Sequence, residues 1–109
     1  MEYHQFQSRD PDYIIPGGES IRQQLDRCIT CCNELSTKFR GKSILVVTHG
    51  GVISSFLYYT LNIPLHQPRR FSLFNAAINC FSINNFFKWN LNTWGDISHL
   101  KGSTILDDF

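Results

Sequence analysis

The residue with the most chemistry to offer is His49, set in Ser43-Ile-Leu-Val-Val-Thr-His49-Gly-Gly-Val-Ile-Ser-Ser-Phe-Leu57. Two glycines after it let the backbone turn sharply and approach a ligand closely. If a helix starts there, its first N–H groups favour an anion, and an imidazole beside them makes a phosphate site. The alternative is a histidine satisfied at the end of a strand, because glycine-rich strand–helix turns are common. Cys28, Cys31 and Cys32 form a second cluster, with Cys80 far away. A C-x-x-C-C run raises zinc or redox chemistry, but no second ligand pair follows at finger-like spacing. Reduced, buried thiols acting as small hydrophobes are the expectation, with no metal. Arg69 and Arg70 either guide a phosphate or form a solvated loop pair.

These groups need elements to position them. Ile44 to Val47 is a continuous apolar, β-branched run too short for a helix, which predicts a strand buried on both faces of a parallel sheet. His49 would then sit at its carboxyl end, where open α/β sheets bind ligands. Upstream, Ser20 is a good N-cap and Gln23 completes a capping box. Ile21, Leu25, Cys28, Ile29, Cys32, Leu35 and Phe39 trace an apolar stripe at helical spacing. Glu34 and Lys38 add an i,i+4 pair, and Gly41 reads as the C′ stop. A second helix is expected from about Gly51 to Leu61, packed against the sheet and ending near Asn62, before Pro64. After a loop to Ser72, Ala76 to Ile83 reads as a strand and Asn84-Asn85 as a turn. Phe87, Trp89 and Leu91 alternate with polar residues as a half-exposed strand. Residues 1–15 and the tail from Thr93 show no firm pattern.

The whole chain sets bounds on this. Its 109 residues make one small domain. A net charge of +1 leaves no electrostatic footprint for nucleic acid or an anionic membrane. Met1 to Tyr13 is polar, unlike a secretory signal, and no run is long enough to cross a bilayer. A soluble, cytoplasmic protein is expected. A strand as apolar as 44–47 needs neighbours on both sides, and few strands here could supply them, so part of the fold is expected to be missing.

Pro16-Gly-Gly-Glu-Ser20 before an amphipathic helix, then Val46-Val-Thr-His49-Gly-Gly-Val-Ile53, then Phe74-Asn75-Ala-Ala77, resembles the histidine phosphatase superfamily. This is the phosphoglycerate mutase-like group, especially its cofactor-independent broad-specificity and α-ribazole phosphatase branch, and no cofactor is expected. The likeness covers most of residues 9–100. It implies part of a three-layer α/β/α sandwich, the C-terminal half of one domain, with a phosphorylated small molecule as substrate. In that family a histidine within Arg-His-Gly becomes phosphohistidine, while a second, within Ser/Thr-His-Gly, stabilises the transferring phosphoryl. By resemblance His49 is the second, helped by the amides near Gly50. Glu19 and Ser20 match a segment bordering the pocket, although helix capping alone would justify both. Asn75 matches a pocket-supporting asparagine, or is simply a turn residue.

The departures carry equal weight. No Arg-His-Gly occurs in the chain: His4, His66 and His99 are followed by Gln5, Gln67 and Leu100. The family's second phosphate-binding arginine and its leaving-group acid lie upstream of the matched region and are likewise absent. Met1 is then an internal methionine, an artificial start or the start of a truncated gene. The resemblance implies phosphomonoester hydrolysis, or mutase chemistry, in an intact parent and no turnover by this chain. The alternatives are a phosphate-binding pseudo-phosphatase, or a module that pairs with its own copy or with the missing N-terminal half.

Overall fold

A computed structural model describes residues 10–100, and the expectations for residues 1–9 and 101–109 lie outside it. The chain divides into two compact units, residues 1–68 and 69–109.

The first unit is a helix pair. Helix α1 spans Ile21–Lys38 and opens on the expected capping box. Ser20 Oγ accepts from the Gln23 N–H at 3.1 Å, and Gln23 Oε1 accepts from the Ser20 N–H at 2.9 Å. The stripe is present, but Leu25 is its one fully buried member. The expected Glu34–Lys38 pair does not form among the described residues, and the Lys38 ammonium lies over the Phe39 ring instead. Phe39 is the C-cap, so Gly41, at φ +77°, comes one residue later than the expected C′ position.

Helix α2, Gly50–Thr60, is buried around most of its girth through Ser54, Ser55, Phe56, Leu57 and Tyr58. It packs on α1, and the Tyr58 hydroxyl donates to the Gln67 carbonyl at 2.8 Å. Each large apolar side chain so buried contributes about 1.5–3 kcal/mol. The helix ends as Asn62 and Pro64 suggest. Asn62 takes φ +57°, its N–H reaches the Tyr59 carbonyl, and the Ile63 N–H reaches that of Tyr58. Those two bonds are a Schellman closure with asparagine in the left-handed position.

Between the helices the expected buried strand is not formed. No strand forms at 44–47, and Leu45 and Val47 are 89% and 90% exposed, with Ile44 and Val46 also exposed. A strand exists only against a partner. The two strands among the described residues, β1 (Ile78–Ile83) and β2 (Trp89–Asp96), pair with each other.

Those strands make the second unit, an antiparallel hairpin with Phe81 opposite Leu91 and Ile83 opposite Trp89. Its turn is longer than Asn84-Asn85. Asn84 Oδ1 accepts from the N–H groups of Phe86 (2.8 Å) and Lys88 (3.1 Å), and Phe87 sits at φ +56° in the turn rather than in the strand. Near the open end the register slips between Ile78 and Cys80 and again before Phe81. Gly95, at φ +71°, donates its N–H to Asn79 Oδ1 at 2.8 Å there. Trp94 meets Phe71 and Phe81 edge-on and donates its indole N–H to the Ser72 carbonyl. The result is a small α/β assembly of two helices and a two-stranded antiparallel sheet, consistent with part of a histidine phosphatase fold.

Candidate functional site

His49 is the N-cap residue of α2, with extended backbone (φ −110°, ψ 157°) and no capping bond from its side chain. Its carbonyl accepts the first helical bond, from the Ile53 N–H at 3.1 Å. Helix geometry leaves the N–H groups of Gly50, Gly51 and Val52 without partners inside the helix. The imidazole is exposed and makes no hydrogen bond to Glu19 or Ser20. A Cβ placed on Gly51 would meet nothing within 4 Å. This glycine is therefore not demanded by the chain's own packing, and the space over the helix start is open. Such an end can hydrogen-bond an anion through its amides while the imidazole contributes a donor from the side. The feature that sequence reasoning placed before it, a buried strand, is replaced by an exposed extended stretch.

The other candidates have partners of their own. Glu19 pairs with Arg27, two turns into α1, and this ion pair raises the guanidinium's pKa. Nothing in the spacing of Glu19 and Arg27, eight positions apart, advertises the contact. Ser20 is buried, its hydroxyl occupied by the capping box. Asn75 belongs to the second unit, half-buried in the turn before β1, where Ala76 adopts φ +57°. The same turn offers the Ala76 carbonyl to His99 Nε2 at 2.9 Å. His66 contacts the Gln67 side chain, and His4 lies outside the described residues. Arg69 is half-buried and Arg70 exposed.

The thiols correct a further expectation. Cys28 and Cys32 are only half-buried and Cys31 is exposed, because the face of α1 they share is covered little beyond Leu25. All four cysteines are free thiols. Among the described residues no group of three or more His, Cys, Asp or Glu side chains could hold a metal ion. No helix there is long and apolar enough to cross a membrane.

Comparison with known proteins agrees with the motifs. Residues 1–97 match the model of the histidine phosphatase superfamily (branch 1). Phosphoglycerate mutase-like protein 4 of Arabidopsis thaliana is 38% identical over 105 residues, covering 95% of this chain and 44% of that protein. The metal-independent phosphoserine phosphatase of the same plant is 34% identical, covering 95% and 42%. The probable phosphoglycerate mutase GpmB of Salmonella paratyphi B is 32% identical over 101 residues, covering 86% and 46%. The chain thus spans less than half the length of these relatives. No solved structure matches it. With the model match running through both helices and the hairpin, the chain belongs to the histidine phosphatase superfamily.

Proposed function

We propose that this chain carries the phosphoryl-gripping portion of a histidine phosphatase site, with His49 and the first amides of α2 holding the phosphate of a phosphorylated small molecule. The observation that carries this reading is the uncommitted imidazole at a helix start that no side chain closes. His49 donates to a non-bridging phosphoryl oxygen, where charge builds as the phosphoryl group transfers and fixed donors are most effective. The N–H groups at Gly50 and beyond add to that stabilisation. Glu19 and Asn75 are further candidates that the family match suggests, and Ser20 acts through the start of α1, which its hydroxyl caps.

The parent reaction is phosphomonoester hydrolysis or phosphoryl transfer through a phosphohistidine. A second imidazole attacks phosphorus, the ester P–O bond breaks, and an acid protonates the leaving oxygen. Water or an acceptor hydroxyl then breaks the N–P bond. The relatives' names, a phosphoserine phosphatase and phosphoglycerate mutases, support that class. This sequence contains no Arg-His-Gly to provide the nucleophile. A site without nucleophile, arginine clamp or acid loses the covalent step and most charge stabilisation. The chain by itself therefore binds phosphate weakly and does not turn over, as one part of a three-layer α/β/α domain working in the cytoplasm.

Two measurements test this. Vanadate or phosphate titration is expected to show weak binding that His49→Ala removes, and absence of binding sinks the proposal. Hydrolysis of p-nitrophenyl phosphate is expected to be nil, and activity abolished by His49→Ala would reveal a replacement nucleophile. A second reading, self-association through 44–47 or pairing with an N-terminal half, is favoured by the exposure of Leu45 and Val47. Sedimentation as a clean monomer would end the self-association form.

A further inference from the structure

The site at the start of α2 makes no use of Arg69 and Arg70, and the residue just beyond them gives the pair another use. Ser72 stands three positions after the first arginine and two after the second. Thr30 and Ser43 also follow an arginine by three positions, Arg27 and Arg40, but neither has a second arginine beside the first. Thr30 is moreover held within α1.

The structure leaves Ser72 open to an enzyme. From Pro68 to Leu73 the backbone is neither helix nor strand. Ser72 and Arg70 are exposed, and Arg69 is half-buried. The Ser72 carbonyl accepts the Trp94 indole N–H at 2.9 Å, whereas its hydroxyl makes no hydrogen bond among the described residues. Phe71 meets Trp94 edge-on, with ring centroids 5.2 Å apart, and Leu73 is buried. The segment is thus tethered to the hairpin by a carbonyl, a ring and Leu73, and recognition has to come from the arginine side. Each guanidinium can take a carboxylate bidentately, and kinases select substrates by such charge patterns. Two arginines alone would be a solvated loop pair. An exposed, unbonded hydroxyl at fixed spacing behind them is a second, independent observation.

We propose that Ser72 is a phosphorylation site for a protein kinase that selects serine behind paired arginines. Ser72 Oγ attacks the γ-phosphorus of ATP, the bond to the β-phosphate oxygen breaks to release ADP, and the hydroxyl proton passes to the kinase's catalytic aspartate. The phosphoserine adds roughly 1.5–2 negative charges to a stretch in which Lys88 is the one charged residue between Phe71 and Asp96. Arg69 and Arg70 supply the countercharge from two and three residues away.

The test is incubation of the full chain with ATP and the catalytic subunit of cyclic-AMP-dependent protein kinase, which is selective for basic residues before serine, followed by mass spectrometry. One phosphate is expected, on Ser72, and none at that position in Ser72→Ala. Replacing both arginines, Arg69→Gln with Arg70→Gln, is expected to slow incorporation about tenfold or more, and Arg70→Gln alone, at an exposed position, to slow it by less. Circular dichroism of each variant checks that the fold is kept, so that a slower rate reports recognition. No incorporation, phosphate on Thr30 or Ser43 in place of Ser72, or an unchanged rate in the double arginine variant would each overturn the assignment.

Discussion

The two helices of this chain begin in opposite ways. At α1 the first amides are closed by the reciprocal bonds of Ser20 and Gln23, and the cap is buried. At α2 the cap position holds His49, whose side chain makes no capping bond, and two glycines follow. One start is built for stability. The other forgoes a capping contribution of about 1 kcal/mol and keeps an imidazole and several amides available. That contrast separates what holds the molecule together from what it can act with.

Four variants can break or sharpen it. The largest effect is expected from His49→Ala, which should weaken vanadate or phosphate binding at least about tenfold, or 1.4 kcal/mol, with the melting temperature unmoved. His49→Ser should likewise lose the anion yet stabilise the chain by about 1 kcal/mol, because serine caps where histidine does not. A rise of a few degrees in thermal unfolding would show it. Ser20→Ala mirrors that change, costing about 1 kcal/mol in urea unfolding and leaving phosphate affinity alone. If Ser20→Ala abolished anion binding at full stability, the division of labour between the two helix starts would collapse. Smallest is the double change Leu45→Lys with Val47→Lys, expected within about 0.5 kcal/mol of the parent. A larger loss that grows with protein concentration would show this segment paired with another copy.

What the sequence revealed follows from where each signal is stored. The capping box, the Asn62 closure and the Asn84 turn are each made within a few residues, and each was legible. The hairpin supplies its own partner strand through that turn. Residues 44–47 have a better apolar pattern than β1, but their partners would have to come from far along the chain, and no local residue encodes them. The end of β2 escaped notice because two register shifts and Gly95 interrupt the alternation that betrays a strand. His49 was placed correctly at a helix start, although the strand expected before it is not formed. The partner of Glu19 was not legible, because an eight-residue reach back along a helix has no characteristic spacing.

The stretch that carries Leu45 and Val47 also governs how the protein behaves when concentrated. From Ser43 to Pro68 there is no Asp, Glu, Lys or Arg, and Lys42 is the nearest gatekeeper on the upstream side. Within it, the β-branched segment 44–47 has no proline and pairs with no strand, which is the raw material of cross-β fibrils. Solubility therefore leans on charges outside this stretch, and high salt, which screens them, should hasten fibril growth.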